Sequence, residues 1–185
     1  MTPHPNPASA ETAERRINIV QGEQHVSDDP SVVISTLLGS CVAACMRDPV
    51  AGIGGVNHFL LPGDDGGDSL RHGVHAMELL VNALLRQGAR RERLEAKLFG
   101  GANLMRGLSD IGGKNAVFAE DFLRKEGIRN IGGSLRGDRG RRIQFWPVSG
   151  RARQVLMLPD EKAPFEVERR VRPAPAPTSG ALELF

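Results

Sequence analysis

The sequence predicts a single α+β domain, a layered arrangement of mixed and antiparallel β-sheet flanked by two main helices. Three observations lead there. Short β-branched or alternating runs recur along most of the chain, only two stretches carry a helical period, and 185 residues suffice for one domain with a real core but not for two ordinary ones.

The elements follow in order. Residues 1–14 mix Pro, Ala, Thr and charge without periodicity and read as a loose N-terminal arm. Ile17–Gln21 and Val32–Ile34 are β-branched runs, hence strands. Cys41–Met46 is apolar and small, Asp48-Pro49 and Gly52 mark a turn, and Ile53–Leu61 is again extended until Pro62-Gly63, so the two runs form a hairpin. Gly63–Asp68 reads as a polar, glycine-rich loop. From Arg71 to Gln87 the period changes: Val74, Met77, Leu80, Val81, Leu84 and Leu85 share one helical face, and Gly88 supplies the stop. Leu94–Phe99 alternates as a half-exposed strand does. Asn115–Lys125 is the second helix, with Val117, Phe118, Phe122 and Leu123 as its apolar side. Ile128–Ile131, Arg142–Trp146 and Gln154–Leu158 close the domain as strands, which places it at residues 15–158. Residues 159–185 turn to Pro-Ala alternation and charge, the composition of a poorly ordered tail, with an isolated apolar patch at 181–185.

Composition narrows the function classes. Apolar residues make up 40% and charged residues 25%, and no apolar run is long enough to span a bilayer. The first thirteen residues lack the basic start and apolar stretch of a secretory signal, so a cytoplasmic location is expected. A net charge of +2, scattered basic residues and no tyrosine speak against nucleic-acid binding. The two cysteines, Cys41 and Cys45, are too few for a disulfide scaffold and are expected to be reduced thiols.

The informative stretch runs from Ser35-Thr36-Leu37-Leu38-Gly39-Ser40-Cys41 through the hairpin to Asn57-His58-Phe59. Gly39 and Ser40 before a cysteine allow a tight turn that exposes the thiol and aims backbone N–H groups at an oxyanion. A thiol becomes a nucleophile when a nearby imidazole takes its proton. With Asp48–Gly52 as the turn, Cys41 faces Phe59, and one bulge at Gly54-Gly55 would bring Cys41 opposite His58. A small cysteine inside an apolar strand is otherwise core, and that is the reading for Cys45.

Leu38-Gly39-Ser40-Cys41-Val42, the Arg47-Asp48-Pro49 turn and the run from Gly54 to Pro62 resemble the signature of the chemoreceptor glutamine deamidases, the CheD family. Lys97–Asn103, Ile111–Asn115, Ile131–Gly133 and Gly140–Phe145 are similar to its later blocks, so the likeness covers about residues 17–158. The resemblance implies conversion of receptor glutamines to glutamate with release of ammonia, with Cys41 as nucleophile and His58 as base. It also implies a third polar residue, a threonine six places before the cysteine in relatives. Here Ser35 stands at that spacing and Thr36 one place later, and the spacing favours Ser35. Such chemistry needs no metal or organic cofactor. The implied partners are methyl-accepting chemotaxis receptors as substrate and a CheC-type phosphatase. The alternative is a non-catalytic adaptor binding either of these, which would have no use for the Cys41 and His58 pair.

Other candidates carry less. Asn57, Asn103 and Asn115 are candidates for lining a substrate groove, although turn-forming asparagines look the same. His72 and His75 stand three apart on the first helix, a spacing that can hold zinc, but no further ligand is obviously placed and no metal is expected. The glycine pairs fit neither a Walker A nor a dinucleotide fingerprint and read as turns or close backbone approaches.

Overall fold

A computed structural model describes residues 13–62, 67–104 and 110–158. The expected tail at 159–185 and most of the N-terminal arm lie outside the described residues. Of the arm, Glu14 is anchored: it accepts a hydrogen bond from the indole N–H of Trp146 at 3.0 Å.

Two mixed sheets form the body. The smaller has the order β1 (Arg15–Asn18), β3 (Val32–Leu38), β8 (Arg141–Phe145), β9 (Ala152–Leu156). The larger has the order β2 (Gln24–Ser27), β5 (Ile53–Phe59), β4 (Val42–Asp48), β6 (Glu95–Gly100), β7 (Arg129–Leu135). The β1–β3 and β6–β7 pairs are parallel and the other neighbours antiparallel. β2 is the strand sequence patterning did not find, because Gln-His-Val-Ser offers no β-branched run.

Side-chain alternation builds two cores from these sheets. Val32, Ile34 and Leu38 of β3 and Ile143 and Phe145 of β8 meet Ala43 and Cys45 of β4, Val56 of β5 and Phe99 of β6 between the sheets. The opposite face of the larger sheet presents Val42, Ala44, Met46 and Phe59 to helices α1 (Gly67–Arg86) and α2 (Ile111–Lys125). The result is three layers: sheet, sheet, helices. Both helices begin four residues earlier than their apolar period suggests. In α2 the Asp110 carboxylate accepts the Gly113 N–H at 2.8 Å and caps the first turn, so helix formation does not wait for the apolar face. Within that inner layer Phe118 meets Phe59 edge-to-face at 5.7 Å between ring centroids, locking α2 onto the end of β5. Val74 and Val117, expected on the apolar faces, are exposed, and Gly73 and Ala119 are buried instead, because small residues let the helices approach the sheet closely.

The hairpin register differs from the bulged one. Asp48 pairs with Ile53 and Ala43 with His58, without a shift anywhere along β4–β5. The Asp48 carboxylate accepts the N–H groups of Val50 and Ala51, which fixes a four-residue turn and with it the register. Gly54 and Gly55 serve close packing: a Cβ on Gly54 would lie 2.4 Å from the Pro147 carbonyl oxygen, and one on Gly55 2.7 Å from that of His25.

Candidate active site

Cys41 does not belong to the strand. It stands on the bend joining β3 to β4, two residues before the position that faces His58. The cross-strand partner of His58 is therefore Ala43, and Cys41 lies outside the ladder.

The carbonyls of this bend are all held from one side. Gly39 O accepts from Ala102 N at 2.9 Å, Ser40 O from Asn115 Nδ2 at 2.9 Å, and Cys41 O from Gly101 N at 2.7 Å. Gly100 makes this possible: with φ of +108° it leads the chain under the bend, and a Cβ there would sit 2.1 Å from Cys41 O. No peptide bond in the described residues is cis. In a trans peptide the N–H points away from the preceding carbonyl. The N–H groups of Ser40 and Cys41 are thus directed to the side opposite Ala102 and Asn115.

His58 is buried on β5, where alternation puts it on the inner face with Val56. Its Nδ1 lies 2.8 Å from Thr36 Oγ1, and the same hydroxyl donates to the Ile19 carbonyl at 2.7 Å. A hydroxyl has one hydrogen and a carbonyl can only accept. The Thr36 hydrogen goes to Ile19, so Nδ1–H of His58 donates to Thr36 Oγ1, and Nε2 carries the lone pair. Burial lowers the pKa of His58 from the usual 6.5 to about 4, so the ring is neutral near pH 7.

The hydroxyl at the histidine is therefore that of Thr36, where family spacing favoured Ser35. β3 stays extended through Leu38, so neighbouring residues point to opposite faces and only one of the two can reach the inner layer. Thr36 shares its face with Val32, Ile34 and Leu38, which pack between the sheets. Ser35, buried as well, points the other way.

A strap missed by sequence reasoning completes the surroundings. Residues 19–23 cross β5 at His58: Gly22 N donates to His58 O at 2.7 Å, and His58 N donates to Glu23 O at 3.0 Å. The Cys41 thiol donates to Gln21 Oε1 at 3.5 Å from the same strap. Its signal in the sequence was Ile17–Gln21 read as one strand, which hid the turn at Gln21-Gly22.

The three asparagines lie on different elements. Asn57 lies on the helix side of β5, accepting from Ala44 N and donating to Ala76 O, each at 3.0 Å. Asn115 is fully buried and ties Ser40 O to Leu61 N, the latter donating to Oδ1 at 2.8 Å. Asn103, half-buried, is fixed by its backbone N–H on Gly137 O at 2.8 Å. Cys45 is buried at the pairing position of Lys97, and burial pushes its thiol pKa up, which keeps it protonated and inert. His72 and His75 are exposed, and His72 Nδ1 is bonded to the Asp68 carbonyl at 2.7 Å.

Residues 60–155 match the profile described as CheD chemotactic sensory transduction, a window that opens just after His58. Full-length relatives extend across the bend and β5. The "Probable chemoreceptor glutamine deamidase CheD" of Acidiphilium cryptum (strain JF-5) is 61% identical over 98% of this chain and 99% of its own. Relatives of the same name from Caulobacter sp. (strain K31) and Agrobacterium fabrum are 61% and 56% identical over 92% and 95% of this chain, and 93% and 99% of theirs. Among solved structures the likeness is slight: the Bacillus licheniformis hypothetical protein YfiH aligns over 66% of this chain and 60% of its own, at 15% identity and a TM-score of 0.43. On the profile match and the full-length relatives together, the chain belongs to the CheD family.

Proposed function

We propose that this chain deamidates glutamine side chains of chemoreceptors, with Cys41 as nucleophile, His58 as base and Thr36 as the residue that orients the base. The observation that carries the proposal is the Ile19–Thr36–His58 chain of hydrogen bonds, which leaves Nε2 as the basic nitrogen of a neutral imidazole beside the cysteine-bearing bend. Relatives named for this activity, 61% identical over nearly the whole chain, support the substrate class.

In this reading Nε2 of His58 accepts the thiol proton as Cys41 Sγ attacks the carboxamide carbon. Because burial opposes a standing imidazolium, proton removal accompanies attack instead of preceding it. The C=O π pair moves to oxygen, and the N–H groups of Ser40 and Cys41, on the side opposite their anchored carbonyls, receive the oxyanion. One such donor is worth about 2.7–4 kcal/mol. His58 returns the proton to nitrogen, the C–N bond breaks, and ammonia leaves a thioester. Water, deprotonated by the same nitrogen, cleaves it to glutamate and the thiol. Glutamine and water become glutamate and ammonia, and the protein is unchanged.

A non-catalytic adaptor is the less favoured reading, since the relatives are named for an enzyme. A CheC-type phosphatase remains a partner implied by family resemblance, compatible with catalysis. The test is incubation of the purified protein with a receptor cytoplasmic fragment, reading ammonia and a gain of about 1 Da on glutamine peptides. Wild type is expected to produce both and Cys41→Ala neither, with unchanged melting. Full activity in Cys41→Ala would remove the proposal.

A further inference from the structure

The Cys41 thiol is met by a carboxamide that belongs to the protein itself. Gln21 Oε1 lies 3.5 Å from Sγ and accepts its hydrogen. A carboxamide substrate has to bring its own carbonyl carbon to within about 3–3.5 Å of the same sulfur before reaction. Two carboxamides cannot share that volume. Building on the reading of Cys41 as nucleophile, we infer that the Gln21 side chain is an internal occupant of the carboxamide subsite, which a substrate glutamine must displace.

Three features fit this role. The group is chemically the right one, a primary carboxamide on a two-methylene stem, the same as a glutamine substrate. Gln21 is an exposed residue of the turn in which Glu23 N donates to Val20 O at 3.0 Å, so its side chain can swing into solvent. The turn beneath it is fixed, through Gly22 N to His58 O and His58 N to Glu23 O, so displacement needs only side-chain rotation and leaves the base undisturbed.

A thiol covered about nine-tenths of the time reacts about tenfold more slowly than an open one, and the apparent KM is raised by the same factor. Gln21→Ala removes the cover, and Gln21→Asn keeps the amide but falls one methylene short. Both sit on the surface, and melting temperature checks that they fold. Iodoacetamide labelling of Cys41, mapped by peptide mass to separate it from Cys45, is expected to quicken about threefold to tenfold in both variants. KM for a receptor-derived glutamine substrate is expected to fall by a similar factor with kcat unchanged. Labelling no faster than wild type in either variant overturns the inference, as does a fall in kcat at constant KM, which would make Gln21 a positioning residue. The labelling arm needs no turnover, so it decides the role of Gln21 even if Cys41→Ala were to retain activity and the deamidase reading were to fail.

Discussion

At the scale of single residues, the site turns on which hydroxyl holds which nitrogen. Thr36→Val keeps the shape of the side chain but removes both the bond to Ile19 O and the acceptor for Nδ1–H. The ring then loses its tautomer preference and its orientation, and kcat is expected to fall about tenfold to a hundredfold, the size of loss that small misplacements produce. Thr36→Ser retains the hydroxyl and most of the activity, and Ser35→Ala behaves like wild type. An inactive Ser35→Ala beside an active Thr36→Val would reverse the assignment. The same burial that shapes the ring sets its pH response. With the pKa of His58 lowered to about 4, the base form persists where an ordinary imidazole is protonated. The acid limb of kcat/KM is therefore expected well below pH 6.5, with activity nearly level from about pH 8 to about pH 5.5. A midpoint at the ordinary histidine value would show that the ring is solvated during turnover.

At the scale of elements, much was legible and the failures share one cause. The helical period of Met77, Leu80, Val81 and Leu84 and the strand character of β4 and β5 are short-range signals, and they set the first helix and the β4–β5 hairpin. The choice between Ser35 and Thr36 was not legible, because it depends on whether residues 35–38 stay extended, and pairing with β8 decides that. Likewise the Gly54-Gly55 pair carries no mark that tells a bulge from close packing against Pro147 and His25, which are remote in sequence. Asn115 is the most consequential of the long-range contacts. It reaches from α2 to tie the nucleophile bend at Ser40 to the chain leaving β5 at Leu61. Asn115→Ala leaves a buried carbonyl and a buried N–H unsatisfied, at a cost of about 1–3 kcal/mol each. It also frees the Ser40–Cys41 peptide to rotate its N–H away from the oxyanion. The expected outcome is a loss in kcat of about a hundredfold, typical of a missing oxyanion donor, with KM little changed. Iodoacetamide labelling of Cys41 needs no such donor and is expected to stay within about threefold of wild type. A parallel collapse of labelling and kcat would mean that Asn115 only holds the fold.

At the scale of the whole molecule, the layered architecture keeps a histidine and a carboxylate in states that acid undoes, in separate windows. His58 is neutral in the folded chain with a pKa of about 4, against 6.5 when unfolded. The unfolded chain therefore binds the extra proton first, and stability present above about pH 6.5 is lost progressively down to about pH 4, by about 3 kcal/mol for a group this deeply buried. His25, lowered by burial and by Arg15, adds to the loss in the same direction. Asp48 acts lower. Burial would raise its carboxyl, but the Arg93 guanidinium and the N–H groups of Arg90, Ala51 and Val50 overcome that and bring it to about 2. Its contribution is complete above the ordinary carboxylate value of 3.8 and is lost as pH falls toward 2, by about 2 kcal/mol. Urea unfolding from pH 7.5 to 3 is therefore expected to show a fall that begins near pH 6.5, before any carboxylate titrates. Set against a total of about 5–15 kcal/mol for a domain, the fall is large enough to resolve. His58→Gln removes the titrating ring, so its unfolding free energy is expected to be flatter between pH 6.5 and 4, with the residual slope owed to His25. Asp48→Asn leaves that upper window intact and removes the lower one, while lowering stability at neutral pH because Arg93 loses its buried counter-charge. Identical slopes for wild type and His58→Gln across the upper window would mean that the ring is as accessible to protons folded as unfolded. A neutral base in the resting site would then be lost together with the stability argument.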